Sequence, residues 1–87
     1  MDRLRSSNLS HLTGETRAED LAGVYFQGVH YYDMGKIEYI NNSGIADLID
    51  LTRDWMEQGI EVRFINVRDE IKKEFQRRDL GHIIDFD

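Results

Sequence analysis

Across residues 29–78 the apolar residues switch repeatedly between strand-like and helix-like spacing, and that alternation confines the chain to an α/β architecture. Residues 29–32 and 37–40 read as extended segments. The cluster Asn41, Asn42, Ser43, Gly44 combines turn and helix-cap residues, so a helix is expected to start there. Ile45, Leu48, Ile49, Thr52 and Met56 fall on one side of that helix at about 100° per residue, and Gly59 is placed to close it. Ile60, Val62, Phe64, Ile65 and Val67 then form a β-branched and aromatic strand. A further helix is expected over residues 69–78, with Ile71 and Phe75 inward. Its acids (Asp69, Glu70, Glu74) come early and its bases (Arg77, Arg78) late, which complements the helix dipole.

The first quarter of the chain is less patterned. A short apolar piece over residues 9–13 reads as an edge strand, and residues 1–8 are expected to be a disordered lead or part of that edge. Leu21, Val24 and Tyr25 satisfy the i, i+3, i+4 rule, which predicts a first helix over residues 18–27 ended by Gly28. Residues 80–86 are apolar enough to pack. The expected fold is therefore a single small α/β domain spanning residues 1–87, with a mixed, mostly parallel sheet and about three helices. Ile45, Leu48, Ile49, Met56, Phe64, Ile65, Ile71 and Phe75 are its expected core, and a monomer is the expected state.

Composition removes several classes of function. The chain has no cysteine, so neither a disulfide framework nor a zinc-thiolate site can form. Eleven basic against 17 acidic residues leave a formal charge of −6, which repels a polyphosphate backbone, so no nucleic acid is expected. No apolar run approaches the roughly 20 residues needed to span a bilayer. No membrane insertion is expected, and the cytoplasm is the expected location. His11, His30 and His82 fall in three different elements without ligand spacing, so no metal and no cofactor is expected. No Ser-His-Asp order, P-loop or glycine-rich dinucleotide turn occurs, and the chain is expected not to be an enzyme.

Three segments carry a resemblance. Leu12-Thr13-Gly14-Glu15 is similar to a Leu-x-Gly-Glu-Leu-Asp turn. Residues 29–33, followed by Ile37, Tyr39 and the stretch from Ile40 to Gly44, are similar to a strand ending in Asp and then Asp-Ser-Ser-Gly. Gly59-Ile60 with residues 62–67 matches a glycine-led strand before the last helix. Together they resemble the STAS family of sulphate-transporter domains and bacterial anti-sigma-factor antagonists, over most of the chain. That resemblance implies a non-enzymatic regulatory module whose partner is an anti-sigma kinase of the histidine-kinase-like ATPase class or a transporter component. It also implies a docking site at the helix start, here Asn41, Asn42, Ser43 and Gly44. The family's phosphoacceptor position holds Asn42, while Asn41 and Arg17 replace the carboxylates that accompany it. An amide takes no phosphate, and Ser43, one position on, does not match the acceptor. Phosphorylation is therefore not expected at Asn42 or at Ser43.

Asn42 serves as a helix N-cap, alone or with a partner contact, or it borders a small-ligand site for a nucleotide or anion. Asp47, Asp50, Asp54 and Glu57 form an acidic stripe on the outer face of the same helix. The stripe is either a solvated face or a docking surface for a basic patch. Leu51 and Trp55 lie at its margin, where they cover a sheet edge or anchor a partner.

Overall fold

β-Branched and aromatic side chains concentrate in two stretches, residues 22–33 and 61–65, and both are strands in the computed structural model of the protein. The structure describes residues 10–14, 16 and 18–87. Expectations that fall on residues 1–9, Glu15 or Arg17 lie outside the described residues.

The strands are β1 (His11–Leu12), β2 (Ala22–Phe26), β3 (Val29–Asp33), β4 (Tyr39–Ile40) and β5 (Glu61–Ile65). The α-helices are α1 (Asn42–Glu57) and α2 (Asp69–Arg77), and two 3-10 turns cover Ala18–Asp20 and Leu80–His82. β1 and β4 pair in parallel, with His11 opposite Tyr39 and Leu12 opposite Ile40. A separate three-stranded sheet runs in the order β2-β3-β5, antiparallel between β2 and β3 and parallel between β3 and β5. The α/β class with mixed pairing is therefore present, with two α-helices among the described residues.

The helix expected over residues 18–27 is absent, and a β-hairpin takes its place. Gly23 is a poor helix residue, and Val24, Tyr25 and Phe26 favour a strand. Gln27 and Gly28 both adopt positive φ (52° and 85°), the geometry of the two-residue hairpin turn that matches strand twist. Gly28 does end an element, as a hairpin corner. Gly23 is crowded on one side: a Cβ there would lie 3.1 Å from the His30 ring and 3.1 Å from the Tyr32 ring.

Alternation along β3 and β5 sends His30, Tyr32, Val62 and Phe64 to the face covered by α1, and Val29, Tyr31, Arg63 and Ile65 to the other. Tyr32, Val62 and Phe64 are buried, together with Ile45 and Leu48 of α1 and Ile71 and Phe75 of α2. Ile65 was expected beside Phe64 in the core, but adjacent strand residues point to opposite faces, and it is only half-buried. Met56 was also expected inside and is 62% exposed. The inward arc of α1 is rotated toward Leu51 and Trp55, because the Trp55 indole closes over β3, and that rotation swings Met56 outward.

The C-terminal residues add a last extended piece. Leu80 and Ile84 are buried, and Phe86 pairs in parallel with Phe64. The Phe64 N–H donates to the Asp85 carbonyl (2.9 Å), the Asp87 N–H to the Phe64 carbonyl (2.9 Å) and the Val67 N–H to the Asp87 carbonyl (3.1 Å). The outer edge of β5 is thereby occupied at Phe64.

Candidate functional site

Strand β4 delivers the chain to the start of α1, and β1 holds it there. The Asn41 N–H donates to the Leu12 carbonyl at 3.2 Å. Asn41 is extended (φ −118°), and its Oδ1 accepts from the Gly44 N–H at 2.9 Å, while its Nδ2 donates to the Thr13 carbonyl at 3.4 Å. Asn41 is thus the N-cap, correcting the assignment of that role to Asn42; Asn41 lies where the Leu12 carbonyl fixes its main chain and the Thr13 carbonyl its side-chain amide. Gly44 lets β1 pass against the helix. A Cβ at this position would overlap the Leu12 carbonyl oxygen and lie 2.7 Å from its carbon. Gly14, at φ 97°, lies beside Ser43 less tightly, a Cβ there falling 3.0 Å from the Ser43 side chain.

Asn42 and Ser43 face outward in the first turn of α1. Asn42 Oδ1 accepts from Arg78 Nη1 at 2.6 Å, which joins the start of α1 to the C-cap of α2. Between these helices and β4 lies an open groove of about 470 Å³, lined by Asn41 and Asn42, by Arg77 and Arg78, and by Glu38, Glu70 and Glu74 among others. Glu74 Oε1 accepts from Arg77 Nη2 at 2.5 Å and from Arg78 Nε at 3.4 Å. The Arg77 hydrogen bond, with the guanidinium charges of Arg77 and Arg78, holds the Glu74 carboxyl below its ordinary range, and the same contact raises Arg77. The groove therefore presents two guanidinium groups already engaged by a carboxylate, two further carboxylates and two amides. Such a lining is suited to polar contacts.

The acidic stripe divides. Asp47 is half-buried and turned inward, with its Oδ2 accepting from the Ala18 N–H at 2.5 Å, so it pins the 3-10 turn to α1. Asp50, Asp54 and Glu57 are exposed, beside exposed Arg53. Leu51 and Trp55 are partly buried against the core. Trp55 Nε1 donates to the Tyr32 hydroxyl at 3.0 Å, and its ring lies 4.8 Å from that of His30, which in turn stacks on Tyr32 at 4.4 Å. This aromatic group was not identified from sequence, although His30 and Tyr32 sit two apart on one strand face. The contact between Arg78 and Asn42 had no sequence signal, because 36 residues separate them.

His11, His30 and His82 stand apart, and the described residues contain no group of three or more His, Asp or Glu side chains able to hold a metal ion. Among the described residues no helix is long and apolar enough to cross a membrane. No family model, curated protein or solved structure matches this chain.

Proposed function

We propose that the protein is a non-enzymatic regulatory module of STAS type that docks onto a protein partner through the start of α1, with Asn42 and Ser43 as the exposed contacts and with Asn41 and buried Gly44 seating the helix start behind them. The observation that carries this reading is the outward presentation of Asn42 and Ser43 on a rigidly seated helix start. The cap by Asn41, the close approach of Leu12 to Gly44 and the bond from Arg78 restrain the local main chain, so docking would cost little ordering entropy. The partner types consistent with the resemblance are an anti-sigma kinase-like ATPase and a transporter component. Asp50 and Asp54 extend the docking surface along the helix toward a basic patch, and Leu51 and Trp55 support it from beneath. Control by phosphate at the helix start is absent on this reading, because Asn42 offers no hydroxyl.

Affinity capture from the native host tests it. Wild-type protein is compared with Asn42→Arg and with the Asp50→Lys, Asp54→Lys double variant, each verified as folded by circular dichroism. Loss of one specific captured protein with Asn42→Arg supports docking at the helix start. Loss only with the double variant moves the site to the acidic face, and capture unaffected by either refutes both. Stoichiometric phosphate on Ser43 in native protein, together with loss of capture, would overturn the absence of a phosphate switch.

A second reading, a nucleotide- or anion-sensing domain, draws on the Arg77 and Arg78 side chains in the groove at the helix start. It ranks lower because Glu74 already engages both arginines and Glu38 and Glu70 line the same groove. A thermal shift with a nucleotide and anion panel separates the two, since a ligand at 100 times its Kd adds about 2.7 kcal/mol.

A further inference from the structure

Strand β2 is the one part of the three-stranded sheet in which every residue is exposed. It lies at the end of the strand order, and among the described residues no strand pairs with its outer edge. Val24, Tyr25 and Phe26 are 61%, 57% and 58% exposed. Edge strands are ordinarily protected by lysine, proline, a bulge or a covering segment. The segment Ala22–Phe26, Ala-Gly-Val-Tyr-Phe, contains neither charge nor proline and pairs with β3 without a bulge. β5 shows the contrast, with its own edge taken at Phe64 by Asp85, Phe86 and Asp87.

We propose that β2 pairs antiparallel with β2 of a second copy of this chain, about a twofold axis at Val24, giving one sheet of six strands. The hairpin sets the hydrogen-bonding phase. The closing bond of the turn at Gln27 and Gly28 joins Phe26 to Val29, and alternation along the antiparallel pair commits the main-chain groups of Val24 and Ala22 to β3. The N–H and C=O of Gly23 and Tyr25 are left on the outer edge. A twofold at Val24 places Gly23 opposite Tyr25 of the second copy, and these outward groups then exchange four hydrogen bonds across the axis.

Side-chain size and charge select the same occupant. In this register Ala22 faces Phe26 of the second copy and Gly23 faces Tyr25, so each aromatic residue meets a small one, while Val24 meets its own counterpart. Asp20 and Glu19 would face Gly28 and Val29 of the second copy, so a chain of net charge −6 brings no acid opposite an acid. Three side chains a little over half exposed offer roughly 300 Å² per copy, allowing about 100 Å² for each. That falls at the small end of specific interfaces, below about 1,200 Å² in total, so the dimer is reversible and its population follows concentration. A dimer of this kind revises the monomer expected from sequence, and it stands independently of the docking proposed at α1, which lies on other residues.

Sedimentation equilibrium of the full chain from about 10 μM to 1 mM tests the proposal. The expected result is a monomer–dimer equilibrium for wild type. Val24→Lys and Val24→Glu each place like charges opposite one another on the axis, so each variant alone should remain monomeric across the range. An equimolar mixture of the two should dimerise again, because only a twofold at Val24 brings the lysine of one copy to the glutamate of the other. Thermal denaturation confirms that each variant is folded. Tyr25→Lys, on the opposite face of the strand, replaces any variant that does not fold and should likewise remain monomeric. A wild-type protein that stays monomeric throughout overturns the proposal, whether its edge is bare or taken by residues 1–9 of its own chain. So does a dimer indifferent to these substitutions, and so do two charged variants that fail to dimerise when mixed.

Discussion

Glycine at position 44 shows how much one missing methyl group decides. A Cβ there would run into the main chain of Leu12, which has no rotamer to yield, so Gly44→Ala must push β1 away from α1. Overpacking of this kind costs about 1–3 kcal/mol, occasionally more. Gly81→Ala, in open space, should fall within about 1 kcal/mol of neutral, and urea denaturation of the two variants checks the contrast. Glu74 offers a second test. The Arg77 hydrogen bond depresses its carboxyl, so the stabilisation from that contact is present above the ordinary glutamate range and is lost as pH falls through the depressed value. An NMR titration should find the Glu74 carboxyl below other glutamates, and Arg77→Ala should return it upward. Of these residue-scale features the sequence announced only the turn cluster. Both Asn41 and Asn42 are good caps by type, and the choice between them rests on the carbonyls of Leu12 and Thr13 nearly 30 residues away.

Among the elements, α1, β5 and α2 were legible because their apolar periods are long and bounded by turn or cap residues. The segment over residues 18–27 misled because Leu21, Val24 and Tyr25 match a helical spacing, while the deciding facts are local turn chemistry at Gln27 and Gly28 and ring packing over Gly23. The phase of α1 was right to within a fraction of a turn. That fraction separates Leu48, with no exposed surface, from Met56. Leu48→Ala should therefore destabilise by about 2–5 kcal/mol, and Met56→Ala by less than about 0.5 kcal/mol, as read from thermal or urea unfolding. A comparable cost for the two would mean that the helix is seated differently. Met56 instead borders a shallow apolar groove of about 410 Å³ with Ile49, Thr52 and Ile83.

For the molecule as a whole, the order of strands in space could not be read from their order in the chain. Period and propensity identify strands, whereas pairing depends on which carbonyls and amides remain unbonded after the hairpin and the C-terminal residues have found their places. The site shows the same limit: Asn42 was visible as a candidate, but its link to Arg78 exists only because α2 ends beside the start of α1. The tail from Asp85 to Asp87 has a consequence at this scale. If β2 pairs as proposed, this tail, bonded to Phe64 on the other border of the three-stranded sheet, would leave each molecule a valence of one, and self-association would stop at two copies. Deleting residues 85–87 should raise that valence to two, and light scattering should then show open-ended growth, with thioflavin-positive fibrils, under conditions where the intact chain stays clear. On that proposal, residues 85–87 would act as a chain terminator for assembly.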